Sequence, residues 1–400
     1  MRGSETADHQ RPSILARCQR LLFSPLRAPR LTFAGACLVG IVTLSRESVA
    51  QPVTTVPTAT IKALMGRLQE PVQITALPNQ PSQLVVVERR GHVRIINNGK
   101  IAKKDLLDIE AILSPGENPG LSGIAFPPNF TSSREVYVSY TDKQGDTIVG
   151  RFPTSESKTA DEDELSVVLK VVQPNPHLHV SALAFGPEGY LYLALGDSPN
   201  RKGSPSLAQR LDSLFGKVLR LDISDPTRYK IPSDNPYAKN TDPSAPEIWA
   251  SGVRNPIHIS FDPVSKRAIV IDSGQDQQEI NLLDRGGNYG WNLMEGSRCL
   301  AASCEGREFT PPLFEYRSAP SSHLVGGFTY NGKLFPALQG SFIFGDTGSK
   351  TLNYLARRNG TWQRGALAIA TGEIVAVGQG GDGEIYVATS NGALGKVLPQ

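Results

Sequence analysis

One pattern recurs along this chain and limits what it can fold into: an apolar pair, a Pro or Gly turn a few residues on, then an alternating strand. It appears as I-T-A-L-P-N-Q-P-S-Q-L-V-V-V-E from Ile74 and I-A-F-P-P-N-F-T-S-S-R-E-V-Y-V-S-Y from Ile124. It returns as L-A-F-G-P-E-G-Y-L-Y-L-A-L from Leu183, I-S-F-D-P-V-S-K-R-A-I-V-I from Ile259 and V-G-Q-G-G-D-G-E-I-Y-V-A from Val377. A looser copy, F-T-Y-N-G-K-L-F-P-A-L-Q-G-S-F-I-F-G-D, begins at Phe328. Self-similarity at intervals of roughly 50 to 75 residues marks a solenoid or a propeller. Each unit carries strands rather than helices, so a β-propeller of about six blades fits the length. Two β-sandwiches would not explain a hairpin repeated through the whole body. The expectation is an all-β, six-bladed β-propeller over 70–400, with residues 51–69 as a lead-in and 1–50 as a cleavable signal segment.

Composition agrees. Gly (38) and Pro (30) are abundant, which favours many turns over an α/β layout. The formal charge of +3 misleads. Residues 1–50 hold seven Arg and three acidic residues, and without them the 41 basic and 38 acidic residues become 34 and 35. No basic field for nucleic acid remains.

Residues 1–30 are Arg-rich and polar, Leu31 to Leu44 is an apolar run, and Ser48-Val49-Ala50 offers small residues just before Gln51. This reads as a signal peptide with a long n-region. The alternative is an uncleaved anchor, but the run is short for a span of about 20 residues, so no membrane span is expected after cleavage. The mature chain would be periplasmic or secreted. It would keep two cysteines, Cys299 and Cys304, which can close a small loop in an oxidising compartment. A disulfide is the expectation; metal binding by two thiols, with no further Cys or near His, is the weaker reading.

The stretch Ile248 to Asn292 concentrates functional residue types: S-G-V-R-N-P, then D-S-G-Q-D-Q-Q-E-I-N-L-L-D-R-G-G-N-Y-G-W-N. Its S-F-D-P and A-I-V-I-D segments alternate as a hairpin. Arg254 and Asn255 sit just before one strand and an acidic loop follows the other, so both lie on loops at strand ends, where sites are commonly built.

These motifs, with G-L-S-G-I-A-F-P-P-N-F (120–130), A-F-G-P-E-G-Y-L-Y-L-A-L-G-D (184–197), F-G-K-V-L-R-L-D (215–222), P-S-D-N-P (232–236) and G-G-F-T-Y-N-G-K-L-F-P-A-L-Q-G-S-F-I-F-G-D (326–346), run in one order across nearly all of the mature chain. In that order the chain resembles the glucose/sorbosone dehydrogenase superfamily, which spans soluble PQQ-dependent aldose sugar dehydrogenases and Hedgehog-interacting-protein-like propellers. The resemblance implies PQQ over the channel, Ca²⁺ on its quinone, and oxidation of an aldose C1 hydroxyl to a lactone, with electrons passed to an acceptor. A base near neutral pKa, as His offers, suits removal of the hydroxyl proton. Calcium suits polarising a quinone oxygen, and Arg forks suit the cofactor's carboxylates.

Carried over residue by residue, the resemblance gives Arg254 and Asn255 a cofactor contact and gives the Ser273-Gly274 carbonyls the cofactor's calcium. Glu279 and the Tyr289 carbonyl match a second, structural calcium site, with Asp272 and Asp276 as further local oxygens. Asp197 matches the carboxylate that orients the catalytic His. The family's H-x-G-G-x-L-x-F is here N-P-H-L-H-V-S-A-L-A-F, so the base is either His177 or His179. Two further cofactor-binding positions are implied: Asn118, at a glutamine or acidic position of the family, and Ser321, at a hydroxyl position. Glu373 and Val375 occupy the closing-blade places of the cofactor-gripping arginines; Lys333, Lys350, Arg357 and Arg358 are the other cations available as substitutes. The C-L-A-A-S-C segment is similar to the Hedgehog-interacting-like branch.

Three functions are thereby framed. The first is an exported PQQ- and calcium-dependent sugar dehydrogenase. The second is a non-catalytic propeller that binds a glycan, cell-wall component or protein. The third, a calcium-dependent lactonase-type hydrolase, wants Asp, Asn and Glu from several loops on one channel metal, whereas the acidic residues here cluster on a single loop.

Overall fold

The computed structural model describes residues 58–114, 120–155, 159–174, 181–197, 206–240, 243–300, 304–317 and 322–400. The signal segment, Asn118, His177, His179 and Ser321 lie outside them. Six antiparallel sheets follow one another along the chain and form a six-bladed propeller. The innermost strands are Pro71–Ala76, Leu121–Ala125, Ser181–Phe185, Pro256–Phe261, Leu324–Thr329 and Ile374–Gln379, and each packs against the next around a closed ring. Between neighbours, side chains reach across: Gln73 bonds both the N–H and the carbonyl of Ile124, and His258 Nε2 donates to the Gly327 carbonyl at 2.7 Å.

Each repeat seen in the sequence is the hairpin between the first and second strands of one blade. The second strands are the most apolar: Gln83–Glu88, Glu135–Thr141, Leu191–Leu195, Ala268–Ser273, Phe342–Asp346 and Ile385–Thr389. Their character follows from burial on both faces. In Leu191–Leu195, the side chains of Leu191, Leu193 and Leu195 join a core shared with the second blade, whereas those of Tyr192 and Ala194 join one shared with the fourth. The period of two along a strand thus feeds two cores from one strand. Six such clusters exist among the described residues, one at each blade interface.

Closure uses both ends of the described chain. Ala59–Gly66, inside the stretch read as a lead-in, pairs antiparallel with Ala393–Pro399 and becomes the fourth strand of the last blade. Beside the fourth blade, Cys299 and Cys304 form the expected disulfide, with Cα atoms 6.0 Å apart. No helix among the described residues is long and apolar enough to cross a membrane.

Leu394 is fully buried in the core between the last and first blades. Leu394→Ala should cost about 2–5 kcal/mol in urea unfolding. Ile369→Ser, at a position 75% exposed, should change stability by less than about 0.5 kcal/mol. Equal effects of the two would contradict this assignment of the closing core.

Candidate functional site

The second strands end on one face of the ring, and several finish in a carboxylate that collects donors from the loops there. Glu88 accepts from Gln69 N at 2.8 Å and Arg94 Nε at 2.9 Å. Asp346 accepts from Ser349 N at 3.0 Å, Tyr316 Oη at 2.6 Å, and the Ser322 hydroxyl. Asp272 takes the two backbone N–H groups of Arg254 and Asn255, at 2.8 and 2.6 Å. One strand-end carboxylate therefore fixes the backbone of the Arg-Asn pair.

Arg254 is held at its side chain as well. Nη1 donates to the Ser273 carbonyl at 2.8 Å, and the guanidinium lies over the Trp291 ring, 5.0 Å from its centroid. The indole N–H of Trp291 donates to Asp197 Oδ2 at 2.9 Å, and Leu207 N donates to Oδ1 at 2.9 Å. The backbone N–H of Asp197 donates to the Arg254 carbonyl at 2.8 Å. Asp197 and Arg254, from different blades, are thus joined through one indole and one backbone bond. Ser273 Oγ meets Nδ1 of His323, from the next blade, at 3.1 Å.

Beneath this wall, Lys217 is fully buried and its ammonium donates to three carbonyls, Leu207 at 3.0 Å and Ala208 and Phe215 at 2.8 Å. Burial pushes its pKa down to about 7, against the opposing fields of Asp197 and Asp212. The lysine holds the loop that supplies Leu207 N to Asp197.

The fourth blade places its carboxylates in a row. Asp272 stands opposite Glu279, and Glu279 opposite Glu315, on three adjacent strands. Cross-strand partners share a face, so this is one line of three acids. Glu295, 3% exposed, adds a fourth and accepts from the backbone of Gln275 and Asp276. Gly274 is required where that loop passes: a Cβ there would run into the Gln277 carbonyl oxygen and stand 2.6 Å from Glu295 Oε1. Burial raises the pKa of Glu279, and the charges of Asp272 and Glu315 raise it further. Burial raises Asp272 too, against the two backbone N–H bonds, with Glu295 adding to the rise. Beside Glu279, Asn281 is fully buried; its Nδ2 donates to Glu279 Oε2 at 3.1 Å, while its Oδ1 meets no donor.

The structure therefore brings Arg254, Asn255, Asp197, Ser273, Gly274 and Glu279 into one region. Tyr289 lies buried beneath it, its hydroxyl donating to the Leu282 carbonyl and accepting from Asp284 N. Glu373 is exposed and Val375 half-buried where the last blade begins. Of the four cations offered as substitutes, Lys350 follows the second strand of its blade, on the site's face. Lys333 lies in the opposite hairpin, and Arg357 and Arg358 end the eight-residue strand Thr351–Arg358. At about 3.3 Å per residue that places them about 20 Å or more away along the blade. Trp291, Glu295, Glu315, Asn281 and His323 joined the region without being singled out beforehand. The advance signals were the Trp of G-G-N-Y-G-W and the Asn of E-I-N-L.

A carboxyl whose folded pKa exceeds its unfolded value binds more protons when folded, so its contribution to stability falls as pH rises through that window. Without added calcium, the stability difference between wild type and Glu279→Gln should shift against wild type as pH rises above the ordinary carboxylate range. Denaturant titrations across pH check this, and a pH-independent difference would contradict it.

Comparison with known proteins gives a consistent picture. The family model for Glucose / Sorbosone dehydrogenase matches residues 68–398. Aldose sugar dehydrogenase YliI of Escherichia coli (strain K12) is 29% identical over 382 residues, covering 91% of this chain and 98% of that protein. Hedgehog-interacting protein of Mus musculus is 26% identical over 368 residues, covering 84% of this chain; the chain spans 50% of that relative's length. The crystal structure of the soluble aldose sugar dehydrogenase from Escherichia coli in its apo form superposes with a TM-score of 0.71 at 26% identity, covering 86% of this chain and 100% of that one. The chain belongs to the glucose/sorbosone dehydrogenase family.

Proposed function

We propose that this chain is an exported, PQQ- and calcium-dependent sugar dehydrogenase that oxidises the C1 hydroxyl of an aldose to a lactone. The observation that carries the reading is the joined wall of Arg254, Asn255 and Asp197, braced by Asp272 and Trp291. Among the described residues, Arg254 spends one of its five N–H groups, on Ser273. That leaves a planar fork suited to a carboxylate of the cofactor. The acid row and the buried, donor-less Asn281 Oδ1 suit a hard cation with oxygen ligands. Glu279, Asn281 and the Tyr289 carbonyl would hold calcium in a structural role, and the Ser273-Gly274 carbonyls would hold the cofactor's calcium.

When bound, PQQ would supply a two-electron acceptor and its calcium a Lewis acid. The chain's own residues do the rest. His177 or His179 takes the proton of the C1 hydroxyl. Asp197 keeps acceptor capacity on both oxygens after the Leu207 and Trp291 bonds, enough to orient that imidazole. A sugar is the substrate and a separate carrier the electron acceptor.

A second reading, a non-catalytic propeller that binds a glycan or protein on the same face, is favoured by the closing blade. Exposed Glu373 would repel a tri-carboxylate, and Lys350 is the single offered substitute on that face.

Dye-linked oxidation of an aldose panel, after loading with PQQ and calcium, separates the two. Turnover is expected, with Asp197→Asn lowering kcat by about 10²-fold or more and only one of His177→Ala and His179→Ala having a comparable effect. No turnover of any aldose by folded, loaded protein would leave the binding reading.

A further inference from the structure

Far along the sequence from that wall, His92 opens the third strand of the first blade, His92–Asn97, directly opposite Asp108. Its two ring nitrogens both face carboxylates. Nδ1 is 3.0 Å from Asp105 Oδ2 and 3.6 Å from Asp108 Oδ1; Nε2 is 3.4 Å from Glu110 Oε2. A neutral imidazole has one N–H, so one of these faces would set a lone pair against carboxylate oxygens. The neighbourhood offers little relief. Four carboxylates, Glu88, Asp105, Asp108 and Glu110, surround one guanidinium, Arg94, which bonds Glu88 and both oxygens of Asp105. A cleft of about 520 Å³ next to Asp108 and Glu110 is lined further by Asp161, Glu162 and Asp163.

We propose that His92, Asp105 and Asp108 form a binding site for a divalent transition-metal ion of the zinc class. Their ligand atoms lie within 4.8 Å of one another. Two ligands each about 2.0–2.1 Å from tetrahedral zinc stand about 3.3 Å apart, and the observed 3.0 and 3.6 Å bracket that spacing. Imidazole with carboxylates suits zinc better than calcium, which takes oxygen ligands. In the metal-bound form Glu110 would take the orienting part: Nδ1, which without metal is hydrogen-bonded to Asp105, would turn its lone pair to the ion, and the Glu110 carboxylate, 3.4 Å from Nε2, would accept from Nε2–H and fix that tautomer. Arg94 holds Asp105 in place. Asp108 and Glu110 are the exposed members, at 46% and 60% for their side chains, and they form the entry path. The site is independent of the sugar-oxidation reading.

Calorimetric titration of ZnCl₂ into the full chain, stripped with chelator and held in excess calcium so that the fourth-blade acids are occupied, tests it. Wild type should show one saturable zinc site. His92→Gln should lose it, and Glu110→Gln should weaken it by about 10–100-fold, with unchanged melting temperatures in chelator. Should His92→Gln fail to fold, the exposed Glu110→Gln still decides. No saturable zinc heat in wild type, or an undiminished site in both variants, would overturn the proposal and leave His92 simply hydrogen-bonded to Asp105.

Discussion

Every blade buries both faces of its second strand, and a row of such blades always leaves two apolar faces in water unless it bends into a ring. That demand governs the molecule. It explains why the cores lie between blades rather than within them, why the second strands read as unbroken apolar runs, and why the first strand, Ala59–Gly66, is spent on the last blade. Once the ring is closed, the ends of all the second strands emerge on one face. The carboxylates there become anchors for the loops of that face.

Asp272 shows how the scaffold becomes a site. Its two oxygens are committed to the backbone of Arg254 and Asn255, so the Arg side chain starts from a fixed point. It then meets the Ser273 carbonyl and the Trp291 ring. The same carboxylate heads the row shared with Glu279 and Glu315. Such a line of buried and half-buried acids is costly unless protons or a cation offset the charge. The wall that would hold a cofactor and the acids that would hold a metal are thus two faces of one strand end.

Much of the fold was legible because the repeated hairpin is local: each copy carries its own turn and its own alternation. The closing strand was not legible. A-T-I-K-A-L-M-G shows a weak pattern, and its partner lies at the other end of the chain. The same division holds at the site. Arg254, Asn255 and Glu279 sit in one motif and could be read together. The link from Trp291 to Asp197 joins residues 94 positions apart, and the entry of Glu295 and Glu315 depends on loop return and strand register. His92 carried no signal at all, since Asp105, Asp108 and Glu110 look like ordinary polar residues until the short strand Leu107–Asp108 folds back beside it.

The balance between catalysis and binding rests on the two sides of the channel mouth. The fourth-blade side offers a braced guanidinium and a row of acids; the closing-blade side offers Glu373 and Val375. The central claim is that the first side suffices to hold PQQ. Equilibrium titration of PQQ into the full chain in calcium, followed by absorbance or calorimetry, measures this directly. The account predicts a saturable one-to-one complex that Arg254→Ala weakens at least about tenfold, as expected for loss of a charge-assisted contact; no binding to folded wild-type protein, or binding indifferent to Arg254→Ala, would contradict it.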